Sequence, residues 1–212
     1  MHADFWHQKW KDNEIGFHMD QPHPMLVQYV ERLAPAPAAR IFLPLCGKTL
    51  DIGWLLSRGY RVAGAELSET AVRQLFGQLG LEPQVEQVGS LSRFSGPDID
   101  IFVGDIFALS APQLGAVDAV YDRAALVALP ESTRAEYTAH LRGISRHAPQ
   151  LLITFEYDQG QMSGPPFAVS GHEVGEHYGA HFAIELLESV NVPGGLKGHC
   201  EASEVLWLLR EE

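Results

Sequence analysis

Apolar runs and helix-like stripes alternate along most of this chain. A short apolar run at 41–43 predicts a buried strand, and the segment 49–58 that follows has the apolar spacing of a helix. Residues 60–66 predict another strand, after which Ser68 is a typical N-cap of a helix that Gly80 ends. The same reasoning predicts strands near 85–88, 99–103, 117–121 and 151–155, and helices after Pro130 and near 170–178.

The chain ends with two predicted strands, near 183–190 and 204–210. They are joined through a Pro-Gly-Gly segment with no helical pattern, which predicts an antiparallel hairpin at one sheet edge. Elsewhere strands alternate with helices, a pattern typical of a parallel sheet with helices on both faces. We therefore expect an α/β fold with a mostly parallel sheet and one antiparallel edge strand.

The clearest break in composition is the segment 31–40, in which Pro35 and Pro37 cannot lie inside a helix. We interpret it as a linker, so the predicted division is an N-terminal helical extension, residues 1–34, and a main domain, residues 35–212. The extension carries Trp6 and Trp10, which lie on one face of a helix because they are four residues apart. They either dock the extension onto the domain or cover a ligand as part of a lid.

Composition and charge narrow the class of protein. The 212 residues include 15 Lys and Arg against 27 Asp and Glu, a net charge of −12, and 46% hydrophobic residues. This is a globular composition, and its charge argues against nucleic acid as the main partner. Two cysteines make no disulfide framework, and the N-terminal residues lack the apolar segment of a secretory signal. No apolar run reaches the length of about 18 residues that spans a membrane, so we expect a cytoplasmic protein.

Candidate ligand contacts follow the predicted strands, where open α/β sheets bind their ligands. Gly47 follows the first strand and would let a ligand approach the backbone. Glu66 follows the second and either binds a ribose diol or caps the next helix. Asp105 either binds an adenine amino group or belongs to a turn, and Arg123 either faces an anionic substrate or pairs with Asp122 on the surface.

The Gly47-Lys48-Thr49 triplet is similar to part of a phosphate-binding P-loop. That motif also needs a glycine five residues before Gly47, where this chain has Phe42. The Gly-x-Gly-x-x-Gly dinucleotide fingerprint is absent here as well. A nucleotide-binding module without catalytic activity is thus the rival to an enzyme, and an ordinary strand-to-helix turn is the simplest interpretation of the triplet.

The histidines and Cys46 do not indicate a metal site or a catalytic site. His172, His177 and His181 are spaced by five and four residues, which does not place all three on one helix face, so no metal site is expected. Cys46 has no histidine nearby in the sequence to activate it and is interpreted as an unreactive core thiol.

Taken together, these residues resemble the thiopurine S-methyltransferases, and bacterial members in particular, essentially from end to end. The segments that carry the resemblance are Phe5-Trp6, Lys9-Trp10, Phe17-His18, Phe42-Leu43-Pro44-Leu45-Cys46-Gly47-Lys48, Gly64-Ala65-Glu66-Leu67-Ser68, Asp105-Ile106-Phe107, Tyr121-Asp122-Arg123-Ala124-Ala125, Glu156-Tyr157-Asp158 and Gly164-Pro165-Pro166-Phe167.

The resemblance implies a Rossmann-like class I methyltransferase fold with a seven-stranded sheet, and S-adenosyl-L-methionine as cofactor. It implies that Leu45 and Gly47 lie at the methionine part of the cofactor, that Glu66 binds the ribose and that Leu67, Asp105 and Ile106 hold the adenine. Trp6 and Trp10 would cover the cofactor, and Arg123 would contact both cofactor and substrate and be the catalytic residue. The implied apolar walls of the substrate pocket are Phe17, Pro165 and Pro166.

The sequence departs from the animal enzymes before the last strand, where a second substrate-facing Arg is expected. Only Lys197 could supply a positive charge in this stretch. The implied acceptors are thiopurines and related aromatic or heterocyclic thiols, with selenium or tellurium compounds and other small thiols as the alternative. A monomer that acts on a small molecule, without metal, nucleic acid or membrane, is expected.

Overall fold

The computed structural model describes residues 3–12, 19–34 and 36–211. Its strands within these ranges form one sheet: β1 (Arg40–Leu43), β2 (Arg61–Glu66), β3 (Gln84–Val88), β4 (Leu91–Gly96), β5 (Ile99–Val103), β6 (Ala119–Asp122), β7 (Gln150–Tyr157), β8 (Ala183–Asn191) and β9 (Ala202–Arg210). The helices are α1 (Ala3–Lys11), α2 (Pro24–Leu33), α3 (Leu50–Ser57), α4 (Glu69–Leu79), α5 (Ala111–Leu114), α6 (Glu131–Ile144) and α7 (Gly171–Tyr178).

The strand order across the sheet is β3-β4-β5-β2-β1-β6-β7-β9-β8. From β5 to β7 all neighbours are parallel, as the alternation of strands and helices predicted. After β1 the chain builds outward through β2 and β5 and then crosses back to β6. The order of strands therefore reverses between β1 and β6, which is where such sheets open a crevice for a ligand.

Helices cover both faces of the sheet, as predicted. Alternate strand residues point to opposite faces, so Ile41 and Leu43 of β1 belong to one apolar cluster and Phe42 to the other. Helices α2, α3 and α4 pack in the first cluster, and α6 and α7 in the second. Local signals agree with these elements: the Ser68 hydroxyl accepts from Ala71 N–H at the start of α4, and Gly80 ends that helix in the left-handed conformation with φ 68°.

The prediction of seven strands is wrong in number, because the described chain has nine. The chain has an unpredicted strand, β4, between the predicted strands near 85–88 and 99–103, and it pairs antiparallel with both β3 and β5. The position of the reversed strand is also wrong. Both β4 and β9 are antiparallel to the central strands. Each is flanked on its outer side by one more strand, β3 and β8 respectively, so neither lies at the sheet edge. The predicted C-terminal hairpin is confirmed as β8–β9.

The second helix of the N-terminal segment is part of the core. Leu26 is fully buried, and Met25, Val30 and Leu33 are nearly so, in the same cluster as α3 and α4. The division at residues 34 and 35 stays a prediction. Within the described ranges, the helices are too short or too polar to cross a membrane.

Candidate active site

Two cavities open at the carboxyl ends of the parallel strands. The first, cavity I, has a volume of about 430 Å³ and lies beyond β1, β2, β5 and β6. The second, cavity II, has a volume of about 460 Å³ and lies beyond β6 and β7, next to the loop before α7. Both lie in the size range of about 300–1,000 Å³ of small-molecule sites. Four residues line both cavities: Trp6, Arg123, Ala124 and Ala128.

The residues for which cofactor contacts were expected all line cavity I. They are Trp6, Trp10, Leu45, Gly47, Glu66, Leu67, Asp105, Ile106 and Arg123. Those that follow strands come together because the carboxyl ends of parallel strands meet at one edge of the sheet, and Trp6 and Trp10 reach the cavity from α1. Of the residues expected at the substrate, Arg123, Pro165, Pro166 and Lys197 line cavity II. Phe17 lies outside the described residues.

The turn after β1 is held against β2. Cys46 N–H donates to Ala65 O at 3.0 Å, and Gly47 N–H donates to the Glu66 Oε2 atom at 2.8 Å. Leu45 and Gly47 have φ of 46° and 55°, so the turn uses two left-handed residues. It is a short, tight connection, and it differs from the glycine-rich arch of a P-loop. Lys48 Nζ donates to Gln74 Oε1 at 2.8 Å and lies 5.9 Å from the Trp10 ring centroid.

Glu66 is buried in the floor of cavity I. Its Oε1 atom accepts Ser68 N–H at 2.8 Å, and with the bond from Gly47 each oxygen takes one backbone donor. Burial raises the pKa of this carboxyl, while the hydrogen bonds from Ser68, Gly47 and Leu67 oppose the rise. An ionised carboxylate has about four lone-pair sites, so Glu66 can still accept a hydrogen bond from a ligand hydroxyl. Glu66 therefore holds the start of the next helix through Ser68 and also faces the cavity, while ribose binding stays a prediction.

The turn after β6 positions Arg123. Asp122 is fully buried, and its oxygens accept Leu126 N–H at 3.0 Å and the Tyr137 hydroxyl at 2.7 Å. Burial raises the pKa of Asp122 to about 6. No carboxylate of the described residues lies within salt-bridge distance of Arg123. The surface pairing of Asp122 with Arg123 is thus wrong, since the carboxylate points into the core.

The remaining walls of cavity I combine apolar and aromatic residues with polar ones. Asp105 accepts Phe107 N–H at 3.0 Å and starts a short 3-10 turn, so it is a turn residue that also lines the cavity. Trp6 and Trp10 of α1 line the opposite side, and Trp10 is 8% exposed. Burial raises the pKa of Cys46 well above its usual value, and this favours an unreactive thiol.

Cavity II is apolar with charged side chains among its walls. Its apolar walls include Phe155, Pro165 and Pro166, and the Tyr157 hydroxyl donates to Pro166 O at 2.6 Å. Lys197 Nζ donates to Pro165 O at 2.6 Å. Burial and the nearby Lys9 lower the pKa of Lys197.

Sequence reasoning missed four polar residues beside the cavities, three of them buried and the fourth, Glu204, half-buried. Asp51 and Tyr121 line cavity I, Glu204 lines cavity II, and His23 contacts Asp51 and Glu204. Of these four, only Tyr121 could have been predicted to line a cavity, because it lies near the end of a predicted strand.

The histidines singled out in the sequence have other roles. His177 contacts Glu173 at 3.3 Å, and the His181 ring packs edge-on against His147 at 5.6 Å between centroids. His172 is exposed on α7 beside Glu176. Among the described residues, no group of three or more potential ligands is placed to hold a metal ion.

Comparison with known proteins decides the family. The sequence profile described as thiopurine S-methyltransferase matches residues 1–209. The chain belongs to this family. Relatives named thiopurine S-methyltransferase are 54% identical over 210 residues in Xanthobacter autotrophicus, covering 99% of both chains, and 50% identical over 209 residues in Teredinibacter turnerae, covering 99% of this chain and 97% of the relative. As a member, the chain is an enzyme that transfers a methyl group from S-adenosyl-L-methionine.

Solved structures agree on the Rossmann-like methyltransferase fold. A 1,6-didemethyltoxoflavin-N1-methyltransferase from Burkholderia thailandensis, solved with S-adenosylhomocysteine, matches with a TM-score of 0.68 at 16% identity, covering 99% of this chain and 87% of the other. Magnesium protoporphyrin IX methyltransferase from Synechocystis was also solved with S-adenosylhomocysteine. It matches with a TM-score of 0.66 at 14% identity, covering 99% of this chain and 98% of the other. At these identities the likeness concerns the fold alone.

Proposed function

We propose that this methyltransferase acts on the sulfur of thiopurines and related aromatic or heterocyclic thiols. The observation that carries the proposal is the pair of adjoining cavities, of which the second combines flat apolar walls with fixed positive charge. A planar heterocycle can bury its faces against Phe155, Pro165 and Pro166. Arg123 lines both cavities and is the positively charged residue that they share.

Cavity I fits the cofactor. In our assignment Glu66 accepts hydrogen bonds from the ribose, with Leu45 and Gly47 at the methionine part. Leu67, Asp105 and Ile106 hold the adenine, and Trp6 and Trp10 cover the site. The free lone pairs of Glu66 and the cavity volume of about 430 Å³ support this assignment.

When bound, S-adenosyl-L-methionine supplies a methyl group on a sulfonium that is already activated for displacement. The protein then has mainly to align the acceptor sulfur with that methyl group and to exclude water, and such alignment can contribute about 7–11 kcal/mol. Arg123 favours the thiolate form of the acceptor electrostatically and acts as the catalytic residue. Pro165 and Pro166 orient the ring, and Lys197, at 2.6 Å from Pro165 O, supplies a second positive charge at the wall.

We further propose that the enzyme works as a monomer in the cytoplasm, without metal. Cys46 and Cys200 are free thiols, which fits a reducing compartment. Size-exclusion chromatography with light scattering tests the monomer, since a dimer would elute at twice the 23.4 kDa chain mass.

A methyl-transfer screen tests the acceptor class. The purified enzyme is given S-adenosyl-L-methionine with 6-mercaptopurine, a simple aryl thiol, an alkyl thiol, selenite or tellurite. We expect 6-mercaptopurine and the aryl thiol to give the highest kcat/KM. A clear preference for the metalloid or alkyl acceptors would replace our proposal with the alternative, a role in metalloid resistance or in small-thiol methylation.

A further inference from the structure

Glu204 is the one carboxylate that lines cavity II among the described residues. It lies on β9 opposite Phe155 of β7, which lines the same cavity. Its side chain is 20% exposed, and the other charged residues that line the cavity are Lys9, Arg123 and Lys197. A carboxylate among apolar walls and cations is therefore available to a ligand there.

His23 holds this carboxylate in place. The His23 ring accepts Met25 N–H at Nδ1, 3.3 Å away, so the ring proton lies on Nε2 and is donated to Glu204 Oε1 at 3.1 Å. His23 is 3% exposed, and its backbone N–H donates to Asp51 Oδ1 at 2.7 Å. Within the described ranges the second oxygen, Glu204 Oε2, makes no hydrogen bond. One oxygen is thus fixed and the other remains for the ligand.

Methylation of a neutral thiol or thione requires that the acceptor lose one proton. We propose that Glu204, positioned by His23, accepts this proton, an inference that rests on the proposed methylation of sulfur. The proton leaves the acceptor sulfur, or the ring nitrogen beside it in a thione, and binds Glu204 Oε2. A sulfur electron pair forms the new bond to the methyl group, and the bond from methyl to the sulfonium breaks with its pair retained by S-adenosylhomocysteine. Glu204 then releases the proton to water.

The surroundings suit this proton transfer. Arg123 and Lys197, in the same cavity, favour the thiolate that remains after the proton has left. Lys9 is a further cation of that cavity. Behind His23, the Tyr121 hydroxyl donates to Asp51 Oδ2 at 3.2 Å, so the groups that contact the Glu204–His23 pair are themselves fixed by hydrogen bonds.

Glu204→Gln separates this chemistry from a structural role. Glutamine has the same size, and its amide oxygen still accepts from His23 Nε2–H, so the fold is expected to persist. The amide NH₂ then replaces the free oxygen and cannot accept a proton. Glu201→Gln is the matched control, because it removes the same charge three residues earlier from an exposed side chain that lines neither cavity.

Two aryl thiols serve as acceptors, one fully ionised at the assay pH and one with a pKa above it. General base catalysis contributes about 10²–10⁴-fold, so we expect Glu204→Gln to lower kcat/KM about 100-fold or more for the weakly acidic thiol and less than about threefold for the ionised thiol. In the variant, kcat/KM for the weakly acidic thiol should rise with pH toward the pKa of that thiol. Glu201→Gln should match the unsubstituted enzyme with both.

Calorimetry in the presence of S-adenosylhomocysteine gives a readout without turnover. Glu204→Gln should weaken binding of the weakly acidic thiol about tenfold but leave the S-methylated product unchanged, because the product has no proton to donate. Equal losses for both acceptors, or no loss for either, would overturn the role of Glu204 while leaving the methyltransferase intact. If the unsubstituted enzyme methylates neither thiol, the proposed acceptor class fails, and the role of Glu204 fails with it.

Discussion

Glu66 Oε2 accepts the backbone N–H of Gly47 at 2.8 Å, so the carboxylate that ends β2 holds the turn that leaves β1. In the same position it faces cavity I. One side chain therefore shapes the backbone around cavity I and presents oxygens to it.

Glu66→Gln should weaken cofactor binding. Hydrogen bonds to a charged group contribute about 1.5–3 kcal/mol, so we expect a loss of about tenfold or more in the affinity for S-adenosylhomocysteine, measured by calorimetry. The exposed Glu82→Gln is the control, and circular dichroism confirms that both variants fold. An unchanged dissociation constant would show that Glu66 serves only the turn.

Arg123→Ala should affect the acceptor more than the cofactor, although Arg123 lines both cavities. Because its charge stabilises the thiolate, we expect kcat/KM for 6-mercaptopurine to fall about 100-fold while the affinity for S-adenosylhomocysteine falls less than about threefold. Arg58→Ala, in an exposed residue at the end of α3, is the control. Equal losses for both ligands would contradict the assignment of Arg123 to the acceptor.

The contribution of Asp122 to the free energy of unfolding should decrease as the pH rises and its carboxyl group loses a proton. Burial raises its pKa from 3.8 to about 6, so between these values the folded state binds more protons than the unfolded state. The free energy of unfolding therefore falls as the pH rises from about 4 to 6, by up to about 3 kcal/mol from this group alone.

The variant Asp122→Asn isolates that contribution. Its free energy of unfolding relative to the unsubstituted protein, measured by urea denaturation, should increase between pH 4 and pH 7, since other groups cancel in the difference. A difference that is flat with pH would show that Asp122 titrates alike in both states.

Gly64→Ala should destabilise the sheet beside the Cys46 turn. A Cβ atom there would lie 2.6 Å from Ile101 Cδ1 and 2.9 Å from Cys46 Sγ, which is closer than packed atoms approach. Overpacking of this kind costs about 1–3 kcal/mol, measurable as a lower Tm. The substitution Cys46→Ala in the same chain should recover part of the loss, whereas strictly additive effects would place the strain elsewhere.

Cofactor binding should order the N-terminal helix. Trp6 and Trp10 line cavity I, so a bound cofactor would pack against α1 and slow the exchange of its amide hydrogens. Hydrogen exchange by mass spectrometry, with and without S-adenosylhomocysteine, compares α1 with α7, which lines neither cavity. The lid is disproved if both helices exchange at the same rates in the two samples.

The sequence predicts the centre of this fold better than its edges. Strands β1, β2 and β6 are continuous apolar runs because both of their faces are buried. By contrast β4, with the sequence Leu-Ser-Arg-Phe-Ser-Gly, has few apolar residues and ends in a typical turn signal, so only its pairing with β3 and β5 defines it. The pattern of apolar residues therefore misses β4, which the pairing with its two neighbours creates.

The residues of the candidate site likewise include some that the sequence predicts and some that it does not. Glu66, Asp105 and Arg123 could be predicted because a residue that follows a parallel strand lies at the ligand edge. The contact of His23 with Glu204 joins residues 181 positions apart, and no local pattern carries it. Residues whose role depends on a distant partner become visible only once the chain is folded.

Cavities I and II share the wall formed by Trp6, Arg123, Ala124 and Ala128, two of which are small alanines. Ligands in the two cavities are therefore neighbours across a thin partition. A single molecule that joins adenosine to an aromatic ring through a short flexible link should reach both cavities at once. Because the second part then binds at a high effective concentration, such a molecule should inhibit more strongly than either half alone.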